Sequence, residues 1–341
     1  MKKSIPQTVV LVFITVYMMI MSSEAKSGAA DGLGLCENII IPSLLPILIL
    51  VNIGVKSKTA DVLKKIFGKL FEKVLKLPGC CAAAVIFGAI GGYPSGAILT
   101  EHLYKQGQID SSTAARIMSF NFSGGIAFLI TAVGTMRYNN TKIGVVFFAV
   151  SCISSLIICA ASAFVNGKSP DNSSVMKNSL CFTDALVESV EAATKSIINM
   201  SAYIILFSAI ARAFKINDFF APLMEITNGV CGGEKLLPLP ECAAFLSFGG
   251  FCIHFQLIGS LRKMRVKYSR FLLGRVAAAT ISYWLMKAYL YFVPQSSEVF
   301  SNISGNVEQK YTQVNSLLSV VMIIGCVALI FDISNKKIKL H

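Results

Sequence analysis

Residues 77–125, LPGCCAAAVIFGAIGGYPSGAILTEHLYKQGQIDSSTAARIMSFNFSGG, are apolar enough for a membrane interior, yet they break helical periodicity twice. The first break falls at Gly92-Tyr93-Pro94 and the second at Asn121-Phe122-Ser123-Gly124-Gly125. Hydrocarbon offers no hydrogen-bond partners, so the freed backbone groups must face protein or a wet cavity. Discontinuous spans of this kind build solute sites near the middle of the membrane. Composition agrees with an all-α polytopic membrane protein: 54% of the 341 residues are hydrophobic and 14% charged, against roughly a quarter charged in a soluble domain. The net charge of +13 sits mainly in short loops between apolar runs. That pattern reports membrane topology and excludes a nucleic-acid face, which needs basic residues interleaved with aromatics.

The chain divides accordingly. Met1-Lys2-Lys3 before apolar residues 8–21 has the layout of a signal peptide or of an uncleaved first span. The uncleaved reading is preferred because many spans follow. Residues 1–35 are therefore an anchor span followed by a small Gly/Ala external loop, with the N-terminus cytoplasmic. A first repeat covers 36–165, opening with a span over 36–55 that Pro42 and Pro46 should kink. Over 56–76, lysines alternate with Val62, Leu63, Ile66, Phe67, Leu70, Phe71, Val74 and Leu75, which predicts an interfacial helix with its lysines toward lipid headgroups. A re-entrant hairpin over 78–107 follows, in which Gly88, Gly92 and Gly96 allow close helix packing. A broken span over 111–136, capped at Asp110, Ser111 or Ser112, and a return span over 143–165 complete the half.

A polar linker, 166–180, separates this half from a second repeat over 181–293. The second repeat begins with a long helix over 181–214, where Glu191 and Lys195 have the spacing of a helical ion pair. A second hairpin lies within 219–240, and a span over 241–261 is interrupted at Ser247-Phe248-Gly249-Gly250. A span over 271–292 follows, and residues 294–341 form an external loop and a last span, ending at a cytoplasmic C-terminus. The basic run Arg262-Lys263-Met264-Arg265-Val266-Lys267 beside Arg270 anchors this path on the cytoplasmic side.

The charge-derived path takes the first hairpin in from the cytoplasm and the second from outside, making the halves an inverted repeat with a site between them. The candidate solute-binding residues are Tyr93 and Ser95 from the first tip, Asn121 and Ser123 from the first break, Glu225, Thr227 and Asn228 from the second tip, and His254 and Gln256 after the second break. The glycines that shape these turns are Gly91, Gly92, Gly96, Gly124, Gly125, Gly229, Gly249 and Gly250. These donors and acceptors suit a polar solute or a cation held by oxygens. The competing reading is that the glycines only allow tight packing and the polar side chains only mend broken backbone. His102 and His254 lack metal spacing, GAIGGYPSG is no phosphate loop, and the ten cysteines form no CxxC pair. A Cys231–Cys242 disulfide has no support beyond position. No catalytic constellation, metal site or cofactor motif is found, so no enzyme is expected.

At GGYPSGA (91–97), NFSGG (121–125), EITNG (225–229) and FGGFCIHFQ (248–256), the sequence resembles the YlbJ-type sporulation integral membrane proteins. That family carries the nucleoside-recognition Gate domain shared with nucleoside transporters and the ferrous-iron transporter membrane domain. The similarity runs from about residue 32, at GLGLCENIIIPSLLP, to about residue 285. The resemblance implies a concentrative-nucleoside-transporter-like core in the cell membrane of an endospore former, moving or sensing a small polar solute during spore envelope formation. The alternative is a non-transporting organiser that recruits envelope partners through its basic surfaces. Implied partners are membrane lipids, a nucleoside-like or ionic solute, spore-envelope proteins and further copies of the chain, and not nucleic acid. The sequence departs from the family pattern at Gly91, Phe122 and Gly125.

Overall fold

A computed structural model describes residues 5–57, 59–166, 181–233 and 235–293. The linker beyond residue 166 and the expected loop and span over 294–341 lie outside the described residues. Among those described, every regular element is helical. The helices Ser22–Lys56, Thr141–Ala163, Thr183–Ala213 and Leu239–Lys263 are long and apolar enough to cross a membrane, which makes this an integral membrane protein.

Helix α1 (Ile5–Ile20) ends at Met21, and α2 (Ser22–Leu35) continues through a π-helical turn, Cys36–Ile40, into α3 (Ile41–Lys56). The π turn precedes Pro42, which has no N–H to donate into a regular helix. Residues 22–35, expected as a loop, are therefore a helix. The reason is packing: Gly28 and Gly32 lie flat against Ser208, Ala209 and Ile205 of α9 (Phe182–Ala213), so the small residues that look loop-like in sequence serve as a contact face.

Helix α4 (Thr59–Leu70), extended by a π turn over Phe71–Leu75, is the amphipathic helix expected at 56–76. Its Ala60, Gly68, Phe71 and Leu75 are buried. Helices α5 (Cys81–Gly91) and α6 (Tyr93–Lys105) form the first hairpin. Asp110 caps α7 (Ser111–Phe120) by accepting from the Thr113 amide at 2.8 Å. After the break, a π-helical segment over Ala127–Arg137 leads to α8 (Thr141–Asn166). The second half holds α9, the short α10 (Ala221–Met224) and α11 (Ile226–Cys231), then α12 (Leu239–Phe248), α13 (Gly250–Lys263) and α14 (Tyr268–Phe292).

The expected Glu191–Lys195 pair does not form. Glu188, one turn earlier, instead bonds Lys56 of α3 at 3.0 Å, since its own helix offers no cation three or four residues away. Cys231 and Cys242 are free thiols, so the disulfide considered between them does not form.

Candidate functional site

Both helix interruptions arise where glycine enters backbone that a side chain would strain. Gly92 ends α5 at φ +85°, and Gly125 follows the second break at φ +72°. A β-carbon on either would lie 2.9 Å from backbone atoms of the other turn, so the hairpin tip and the broken span touch glycine to glycine. In the second half Gly249 and Gly250 stand at φ +92° and +67°. Gly250 lies against Pro222 and Ile226 of the second hairpin, and Gly249 against Phe122 and Tyr93 of the first half. The tips and breaks of both halves therefore meet in one place.

Arg275 of α14 fastens that meeting point. It is 1% exposed, and its Nη1 donates to the Phe122 carbonyl at 2.9 Å and to the Ser247 carbonyl at 3.3 Å. Its Nη2 donates to the Ser119 carbonyl. These are carbonyls left without helical partners where α7 and α12 stop, and one guanidinium answers both ends. Gly274 brings α14 close enough, since a β-carbon there would sit 3.0 Å from the Ser119 Cα. The Phe122 ring stacks beneath the guanidinium at 4.7 Å. Arg116 does related work below: its Nε donates to Ser162 at 2.9 Å, and its terminal nitrogens hold the Lys76, Leu75 and Cys159 carbonyls. Neither arginine was among the residues singled out from sequence. A lone arginine within an apolar span was the signal, since such a charge persists in a membrane only with partners.

The nine sequence-predicted residues take three kinds of place. Tyr93, Glu225, Thr227 and Gln256 border an inner chamber of about 20 Å³, among Leu44, Phe128 and Ile253, which is room for about one water molecule. Tyr93 also ties the halves together, its hydroxyl donating to the Leu246 carbonyl at 2.6 Å. Asn228 instead lines a wide vestibule of about 970 Å³, together with Glu24, Asp31, Asn38, Arg212 and Asp218. The remaining four border neither cavity. Asn121 donates to the Ala84 carbonyl at 3.0 Å, wedged between Gly88 and Gly96. His254 spans the Phe248 carbonyl and the Tyr268 hydroxyl, each at 3.0 Å. Ser123 is buried, and Ser95 is buried with its hydroxyl unpartnered.

Glu225 belongs to both cavities. Its carboxylate accepts from the Thr227 and Asn228 amides at 2.9 and 2.5 Å, capping α11, and it is 2% exposed. The vestibule opens at the end of α9 that carries Arg212, which pairs with Glu24 at 3.4 Å. Toward the other end, Glu101 of α6 bonds Lys105 at 2.7 Å and Lys263 of α13 at 3.1 Å. Burial alone would raise the Glu101 carboxyl, but hydrogen bonds from Lys105, Ser260 and Lys263 take it below the ordinary carboxylate range. Burial, then Lys56 and Lys105, lowers the nearby His102 imidazole. Among the described residues no group of His, Cys, Asp or Glu could hold a metal ion.

The chain is similar to the sporulation integral membrane protein YlbJ of Bacillus subtilis (strain 168), at 19% identity over 315 residues, covering 77% of each chain. The resemblance carried by the four motifs is thus one of distant homology to a YlbJ-type protein. No family model matches the chain, and no solved structure matches it.

Proposed function

We propose that this chain is a transporter-like membrane protein of spore formation that moves or senses a small polar solute, without catalysis. The observation that carries this reading is the position of Glu225: one buried carboxylate borders both a vestibule of about 970 Å³ and the inner chamber that Tyr93, Thr227 and Gln256 share. The vestibule has the volume of a small-molecule site, whereas the chamber beneath holds about one water. A solute entering from the vestibule would reach Glu225 first and pass only if the hairpin tips separate. The inverted-repeat reading is supported by the way each break packs on the tip of its own half, Gly125 on Gly92 and Gly250 on Pro222 and Ile226. By the positive-inside rule, the end carrying Lys56, Lys105 and Lys263 is cytoplasmic, and the vestibule faces outward.

The test is restoration of heat-resistant spores in a Bacillus subtilis strain lacking YlbJ, by this chain and by its Glu225→Gln and Gln256→Leu forms, with membrane abundance matched. Variants that accumulate and fail to restore spores would support a working cavity. Variants that restore them as well as the parent chain would sink the reading and favour partner recruitment through the exposed basic segments, such as Arg262, Lys263, Arg265 and Lys267.

A further inference from the structure

The outer face of α4 and its π turn has no counterpart in the proposed solute path. Val62, Ile66, Leu70 and Val74 form one ladder along it, 50 to 63% exposed. Lys65, Lys69 and Lys73 form a second ladder beside the first, all exposed. On the opposite side the helix is seated on the core: Gly68 meets Gly79, and the Leu75 and Lys76 carbonyls are held by Arg116. The helix therefore cannot roll to hide its apolar ladder. Lysines at i, i+4 spacing, about 6 Å apart along the axis, repel one another, and an anion laid across them relieves that repulsion. The acids on this segment do not supply it, because Glu72 lies over Gly79 and Asp61 faces the groove by Lys64.

We propose that this face is a binding surface for anionic phospholipid, with Lys65, Lys69 and Lys73 taking headgroup phosphates while Val62, Ile66, Leu70 and Val74 enter the acyl region. The exposed apolar ladder decides between a membrane and a soluble polyanion, since only a bilayer offers hydrocarbon next to phosphate. The lysines decide between lipids, because near an anionic surface each contributes roughly a fivefold preference.

The test uses the full chain in nanodiscs of phosphatidylcholine alone or mixed with phosphatidylglycerol, reading the lipid retained through a detergent wash and the unfolding midpoint. The wild type should retain phosphatidylglycerol preferentially and unfold later in its presence. Lys65→Gln/Lys69→Gln/Lys73→Gln should lose roughly a hundredfold of that preference while unfolding as the wild type does in phosphatidylcholine. The matching triple arginine variant should keep the preference. An unchanged preference in the glutamine variant overturns the proposal, as does an equal shift produced by soluble glycerol 3-phosphate. Should the glutamine variant fail to assemble, salt decides with the wild type alone. The preference must fall as ionic strength rises, and a salt-independent one also overturns the proposal.

Discussion

Arg275 donates to the Phe122 carbonyl at 2.9 Å while its guanidinium carbon lies 4.7 Å from the centre of the Phe122 ring. One side chain thus satisfies the broken backbone of the first half and packs on the residue that breaks it. Through the Ser247 carbonyl it also satisfies broken backbone of the second half. Arg275→Leu would leave three buried carbonyls short of a donor, at about 1–3 kcal/mol each where no other donor moves in. The expected result is a loss of about 3 kcal/mol or more, read as a lower unfolding midpoint in detergent. A midpoint within error of the parent would show that the carbonyls are satisfied without it.

Gly125→Ala tests the glycine contact. Its φ of +72° and the 2.9 Å approach to Gly92 leave a β-carbon no room, and strained backbone alone costs of order 1–3 kcal/mol. Gly34, in α2, meets nothing within 4 Å and has no left-handed φ, so Gly34→Ala should be neutral or stabilising by up to about 1 kcal/mol. Comparing the two unfolding midpoints checks the difference, and equal midpoints would count against the packing described.

Tyr93→Phe removes only the hydroxyl that donates to Leu246 at 2.6 Å. The ring remains against Phe122 at 4.9 Å, so the expected cost is one buried hydrogen bond, about 1–2 kcal/mol. Because that bond joins α6 to α12, the check is the unfolding midpoint in detergent, which should fall in the variant. An unchanged midpoint would mean that the bond does not hold the halves together.

Glu101 gives a pH dependence with a definite sign. Its folded carboxyl titrates below the ordinary carboxylate value of 4.5, so its stabilising effect is fully present above that value. The effect is lost as pH falls through the lower folded value. Glu101→Gln should cost about 1 kcal/mol near neutrality and flatten the fall in stability on acidification below the ordinary carboxylate range. Unfolding midpoints across that acidic window provide the check, and parallel curves for variant and parent would exclude the latch between α6 and α13.

The positions of the breaks were legible because they are local chemistry. A proline lacks its amide proton, and a glycine pays no penalty at positive φ. Gly92, Gly125, Gly249 and Gly250 are read off the chain for that reason. A cap at Asp110, Ser111 or Ser112 and the amphipathic stripe of α4 depend only on near neighbours and were legible too, the choice of Asp110 among the three coming from the structure. The polar residues near the breaks could be named, but not sorted. His254 and Asn121 bond backbone, whereas Gln256 borders the chamber, and nothing in their local sequence separates the two uses.

The sequence by itself determined that the chain is helical, membrane-embedded and interrupted at those glycines, since hydropathy and backbone permissiveness belong to each residue. Only the tertiary structure decided which groups meet. Gly28 and Gly32 make a helix rather than a loop because Ser208 and Ile205 lie opposite them. Glu188 bonds Lys56 of α3, and Arg275 reaches two helix ends at once. A buried charge or an orphaned carbonyl takes whatever partner the packing of distant helices brings within about 3 Å, and that distance is a property of the assembled fold.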